Sequence, residues 1–272
     1  DDLWICTVND GVFIYDGAKF VARESEISEF LKQWTCNAGM ALNDSLLVFG
    51  TILKGIVFCD ENGDVQKGYD YANGLNNNTV LSIYKDLADD LWIGLDEGAN
   101  FIDVLSPFTR YENFTGNLGT IYTAIRSNDQ LYLGTNHGLF VADIYVIRGN
   151  YHFRNLRIIP RTQGQVWTLT KFDNQILCGH NDGTFVVNDS KISQLSDITG
   201  GWSLKQYNNI LIEGTYTGII SYEKDASGSW VFRNRIKGFI EPTRTVEVDY
   251  LGYVWATHPH RGIYRLEFNE EI

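Results

Sequence analysis

Between Thr79 and Lys85 apolar and polar residues alternate, the pattern of a strand whose two faces meet different surroundings. Asp86 to Asp90 is a polar turn, and Leu91, Trp92 and Ile93 follow as a short strand expected to be buried. Gly94 has no side chain, so neighbouring backbone or a bulky ring can approach there, and Asp96 to Gly98 turns the chain into a further strand, Ala99 to Asp103. The strand-turn-strand part recurs as LWICTVNDGVFIYD from Leu3, LLVFGTILKGIVFCD from Leu46, LYLGTNHGLFVAD from Leu131, ILCGHNDGTFVVND from Ile176, ILIEGTYTGIISYE from Ile210 and VWATHPHRGIYRLE from Val254. With the copy at Leu91 there are seven, and their turn glycines (Gly11, Gly55, Gly98, Gly138, Gly183, Gly218, Gly262) stand 35 to 45 residues apart. A period of that length filled with short strands marks a β-propeller blade. The fold class expected is all-β: a seven-bladed β-propeller of four-stranded antiparallel blades, the terminal ones incomplete, in one domain over residues 1–272.

The innermost strands are expected near 35–42, 79–85, 120–126, 165–172, 202–207 and 245–249. Outer strands are expected near 19–23, 64–69, 109–113, 151–158, 191–195 and 229–233, with Arg148-Gly149-Asn150 as a turn. Ser25 to Lys32 places Ile27, Phe30 and Leu31 at helical spacing behind a Ser/Glu lead-in and predicts a helical turn inserted between blades one and two. The chain starts at Asp1-Asp2 in mid-blade. The expectation is that residues are missing at both ends or that the two ragged ends share a closing blade.

GLNNNTVLSIYKD followed by LWIGLDEGANFID closely resembles the two-component regulator propeller repeat. That repeat has a Gly-Leu and Asn lead-in, a Val-x-x-Ile-x-x-Asp strand, then Leu-Trp-Ile-Gly-Thr and Gly-Leu. The resemblance covers residues 74–103 fully and the hairpins at Leu131 and Ile176 in part. It weakens before Leu46, where the lead-in is lost, and in the last copy, where Ala256 is taken as the strand-end position. It implies the periplasmic sensor region of a hybrid two-component regulator in a glycan-degrading bacterium. It also implies neighbours in the same chain: a further propeller, an Ig-like domain, a membrane helix, and a cytoplasmic histidine kinase with DNA-binding output. Signalling is expected to run through a homodimer of the full-length protein.

A formal net charge of −12 and a pI near 4.8, with no compensating basic run, disfavour a nucleic-acid partner for this domain. No apolar run approaches the ~20 residues that span a bilayer. Cys6, Cys36, Cys59 and Cys178 lie on predicted strands without C-x-x-C spacing and are read as buried free thiols, with a disulfide from Cys6 to Cys36 or Cys59 as the alternative.

Aligning the innermost strands on the hairpins that follow puts Leu81, Tyr122, Trp167, Trp202 and Arg244 at one equivalent position, facing either a channel mouth or a blade interface. Aromatic faces suit the apolar face of a pyranose and Arg suits hydroxyls or carboxylates, so these residues are candidate ligand contacts, the alternative being inter-blade core. Trp34 and Asn37 join them from the rim loops, and Asn76, Asn77, Asn78 and the turn tips Asn136, His137, Asn181 and Asp182 are further rim positions. His258-Pro259-His260 lacks a third ligand for a metal and reads as a solvated turn. Asp225-Ala-Ser-Gly-Ser-Trp230 resembles the Asp-box turn of sialidase propellers but occurs once and reads as structural. No carboxylate pair, activated nucleophile or phosphate cradle stands out, so no catalytic residue, metal or cofactor is expected. The expected function is a non-enzymatic sensor of an oligosaccharide. The alternatives are a glycoside hydrolase or lyase, which needs carboxylates, or a His and a Tyr, converging with perturbed pKa values, and a protein-interaction scaffold.

Overall fold

The computed structural model describes residues 3–106, 108, 118–147 and 150–268, which form 25 strands, one α-helix and one 3-10 turn. The strands make seven antiparallel sheets with sequential order, and the architecture is that of a seven-bladed β-propeller. The sheets fall into two compact units, the first holding blades one to three and the second blades four to seven.

In the first unit, blade one is β1 (Leu3–Cys6), β2 (Val12–Tyr15) and β3 (Phe20–Ala22), and α1 (Glu26–Trp34) follows it. Blade two is β4 (Cys36–Asn43), β5 (Leu46–Thr51), β6 (Ile56–Asp60) and β7 (Val65–Tyr69). Blade three is β8 (Val80–Lys85), β9 (Leu91–Leu95) and β10 (Ala99–Ile102). Its expected outer strand, Thr109 to Asn113, lies outside the described residues, as do Arg148 and Gly149 of the expected turn. In the second unit, blade four is β11 (Ile121–Ser127), β12 (Gln130–Thr135), β13 (Leu139–Ile147) and β14 (Asn150–Ile158). Blade five is β15 (Val166–Phe172), β16 (Gln175–His180), β17 (Gly183–Asn188) and β18 (Lys191–Ser196). Blade six is β19 (Ser203–Tyr207), β20 (Ile210–Thr215), β21 (Gly218–Lys224) and β22 (Trp230–Arg235), and blade seven is β23 (Thr245–Val248), β24 (Val254–His258) and β25 (Gly262–Leu266).

Alternation along each middle strand divides its side chains between two cores. On β5, Val48 packs toward blade three and Phe49 toward blade one; on β20, Leu211 packs toward blade five, and Ile210 and Ile212 toward blade seven. The helix lays Ile27 and Leu31, both fully buried, into the core shared by blades one and two. On β9 the same alternation corrects the expectation for Trp92. Leu91, Ile93 and Leu95 are buried, whereas Trp92 points the other way, is 49% exposed and donates its indole N–H to Asp86 Oδ2 at 3.0 Å.

The repeated sequence signals have local causes. Asp86 Oδ1 accepts from the N–H groups of Ala88 and Asp90, and Asp249 repeats this with Leu251 and Tyr253 while accepting from Trp255 Nε1 at 2.8 Å. The hydroxyls of Thr7, Thr51, Thr135 and Thr215, at the end of each hairpin's first strand, donate to the carbonyl of the turn glycine. They also accept an N–H from within the turn. His180 and His258 occupy the same position in blades five and seven, where Nδ1 accepts the N–H of Asp182 (3.0 Å) and of His260 (2.9 Å). Gly55 is held at φ +70 with Tyr69 O only 2.0 Å from where a Cβ would stand, so its glycine is required twice over.

The register corrects the last copy of the repeat. Gly50, Gly94, Gly134, Gly179 and Gly214 each pair with a small residue of the innermost strand. In blade seven Thr245 makes that pair with Thr257, not with Ala256, whose side chain is buried in the core between blades six and seven. The Asp225 turn is structural as expected, its Oδ1 accepting from the N–H of Ser227 and Ser229.

Candidate functional site

The innermost strands share an irregularity. Cys36 pairs with Thr51 and Ala38 with Gly50, leaving Asn37 as an extra residue; Leu81, Tyr122 and Trp167 are left over in the same way in blades three, four and five. Such a bulge turns one side chain out of the alternation and re-aims it. Trp202 and Arg244 hold the equivalent places, next to the Ser203–Gly214 and Thr245–Thr257 pairs. Asn37 therefore belongs to the same series as the five aligned residues.

In the second unit the innermost strands β11, β15, β19 and β23 lie side by side, and the residues at this equivalent place touch in sequence. The rings of Tyr122 and Trp167 are 5.2 Å apart and tilted by 35°, and those of Trp167 and Trp202 are 6.3 Å apart, edge to face. The Arg244 guanidinium lies over both indoles, 4.9 Å from the Trp167 ring and 5.1 Å from the Trp202 ring. Tyr122 is 43% exposed, Trp167 and Trp202 are partly buried and Arg244 is exposed, so the row is a surface and not a core. Hydroxyls behind it lock the strands together: Leu169 N–H donates to Thr123 Oγ1 (3.2 Å), and Val246 N–H to Ser203 Oγ (3.3 Å).

Tyr216 completes the row and was missed by the sequence alignment. It sits on the turn between β20 and β21, its ring 4.6 Å from Trp202 and its hydroxyl donating to Asn181 Oδ1 at 2.8 Å. Gly200, at φ +82, leaves room for that ring, since a Cβ would stand 2.2 Å from it. The available signal was positional: Tyr216 follows the strand-end Thr215, as Asn136 follows Thr135.

Leu81, Trp34 and Asn37 lie in the first unit. Leu81 is 52% exposed, and the Asn37 amide donates to Val80 O at 2.8 Å, tying blade two to blade three. Trp34 ends α1 under Lys54, whose Nζ is 5.9 Å from the ring and pairs with Asp70. The lead-in amides are also engaged locally: Asn78 Oδ1 accepts from Tyr71 N–H (2.6 Å) and Asn77 Oδ1 from Thr79 N–H (2.7 Å). A groove of about 1170 Å³ runs between β1 and β4, lined by Trp4, Cys6, Cys36, Asn37, Met40 and Phe49 among others. All four cysteines are free thiols. Among the described residues no group of three or more His, Cys, Asp or Glu is placed to hold a metal ion.

Glu213 is a fully buried carboxyl with a raised pKa. It lies between blades five and six, 0% exposed; Thr184 Oγ1 donates to it, 2.8 Å from both carboxylate oxygens, and the Tyr222 hydroxyl donates to Oε2. Desolvation pushes its pKa up to about 7, against the lowering effect of the two hydroxyls. Complete burial keeps this carboxyl from reaching any substrate.

No protein-family model matches the chain, and no curated protein matches it. Solved structures similar to it share the fold. The extracellular domain of a protein described as a hybrid two-component system from B. thetaiotaomicron is 18% identical, with a TM-score of 0.49 over 98% of this chain and 44% of that one. The WD40 β-propeller domain of Doa1 is 11% identical, with a TM-score of 0.40 over 99% of this chain and 90% of that one. A protein described as a 6-phosphogluconolactonase from Bacteroides uniformis is 10% identical, with a TM-score of 0.41 over 96% and 88%. The chain spans 40 to 44% of the length of the B. thetaiotaomicron extracellular domains it matches. Among the described residues no helix is long and apolar enough to cross a membrane.

Proposed function

We propose that the chain is a ligand-sensing propeller module of a periplasmic hybrid two-component regulator, and that its ligand is a glycan fragment stacked on Tyr122, Trp167 and Trp202. One observation carries the binding half of this: four consecutive blades each contribute one residue, at the equivalent place of the innermost strand, to one accessible row of rings capped by an arginine. A core would bury such rings, and the row instead offers planar apolar faces beside polar donors, the combination a pyranose uses. The sensor half rests on the likeness of residues 74–103 to the two-component regulator propeller repeat. The signal is a population shift: ligand favours the arrangement of this module with its neighbouring domains, or with a second copy, in which it makes better contacts.

The test is a thermal-shift screen of the protein against defined oligosaccharides, calorimetry on each hit and product analysis of the mixture. Binding without turnover, weakened about tenfold or more by Trp167→Ala, supports the proposal. Turnover of a bound glycan would replace it with the enzyme alternative.

A further inference from the structure

The row carries several donors without a protein acceptor. Arg244 carries five N–H groups, and apart from its place over the two rings its guanidinium makes no hydrogen bond or ion pair among the described residues. Trp167 Nε1 and Trp202 Nε1 are also without a partner among the described residues, and both nitrogens are buried. Tyr216 already spends its proton on Asn181, and the Asn181 amide spends one of its own on Asp182 Oδ1 at 3.0 Å. Buried N–H groups are almost always paired in folded proteins, so the two unpaired indole N–H groups call for acceptors, and the exposed guanidinium beside them is free to take one.

A neutral sugar hydroxyl brings one donor with each acceptor oxygen, whereas an oxyanion brings acceptors alone and takes a guanidinium in two parallel bonds. Resting on the glycan reading above, we infer that the ligand is an anionic saccharide whose carboxylate or sulfate group is taken by Arg244. Drawing the guanidinium onto the oxyanion moves it off the indoles, opening the Trp167 and Trp202 faces to the sugar ring and their N–H groups to its ring and hydroxyl oxygens. Of the carboxylates on these blades, Glu241 is committed to Arg261 (2.9 Å) and Glu247 to Lys205 (2.8 Å), and Asp182 stands beyond Asn181 at the Tyr216 end of the row. Arginine, and not lysine, is required by the two-ring stacking together with the planar fork.

Calorimetric titration of the protein with oligogalacturonides, with the same oligomers after carboxyl reduction, and with a sulfated neutral oligosaccharide tests this. The wild type is expected to bind one oxyanion form at least about tenfold more tightly than the reduced oligomer, and Arg244→Met to erase that preference with its melting temperature unchanged. Preference for the uronate identifies a carboxylate, and preference for the sulfated sugar identifies a sulfate ester. Equal affinity for charged and reduced oligomers overturns the inference while leaving the glycan site standing. Binding of none of the three, with no hit in the wider screen, overturns the site itself. A preference that survives in Arg244→Met places the oxyanion elsewhere and also overturns the inference.

Discussion

Replacing Glu213 by Gln should abolish a pH dependence of stability that the wild type carries between about pH 4.5 and 7. The Glu213 carboxyl keeps its proton up to about pH 7 in the folded chain, because burial penalises the charge, and only to about 4.5 when unfolded. The folded state therefore binds the extra proton, and stability falls as pH rises through this window. At 1.36 kcal/mol per pH unit of difference, the loss is about 3 kcal/mol by pH 7.5. For a domain of this size that corresponds to roughly 6–12 °C in Tm. His180 works in the opposite sense, since desolvation lowers its pKa and its stabilisation is lost as pH falls. It is common to both proteins and cancels in their difference. The Glu213→Gln side chain would keep the shape and meet the Tyr222 and Thr184 hydroxyls with an uncharged amide. Urea unfolding of both proteins at pH 4.5, 5.5, 6.5 and 7.5 should show the variant gaining about 3 kcal/mol on the wild type across the series. A difference that stays flat, or falls with pH, would refute the placing of a protonated carboxyl between blades five and six. Tyr222→Phe, which removes a hydrogen bond that favours the carboxylate, should move the wild-type midpoint upward.

Gly179→Ala should destabilise by about 1–3 kcal/mol or more, because the new Cβ would stand 2.1 Å from Gly201 O, a backbone atom that cannot swing away; chemical denaturation measures it. Thiol titration of the native protein should find Cys178 and Cys59 unreactive, since burial raises both and pushes Cys59 up to about 12; rapid modification of either would contradict their burial. Asp86→Ala should lower Tm more than Asp86→Asn, which keeps one acceptor for the turn, and a scan in which both variants melt alike would remove that turn role.

The hairpins were legible because two signals coincide in each copy: a short apolar strand on either side and a glycine at the turn. The strand-end position of the last copy lies one residue beyond Ala256, at Thr257, and only the register, in which Thr257 faces Thr245, shows it. Trp92 was read as buried from its apolar neighbours, although alternation alone sends it to the other face. The row of candidate residues was legible as an alignment, but the way Tyr122 and Trp167 are aimed depends on bulges, which are a property of pairing and leave no mark on a single strand. The same bulges bring Asn37 into the series. Glu213 was invisible for a related reason: within Ile210 to Thr215 it looks like the polar member of an alternating strand. Its partners Thr184 and Tyr222 lie on other strands.

The claim most exposed to direct test is that a sugar sits on the row across blades four to seven. A crystal structure of the protein with the oligosaccharide that most stabilises it decides this. A pyranose ring is expected against Trp167 or Trp202 with Arg244 drawn onto the ligand. A sugar bound in the groove between β1 and β4, with the rings and Arg244 undisturbed, would contradict it.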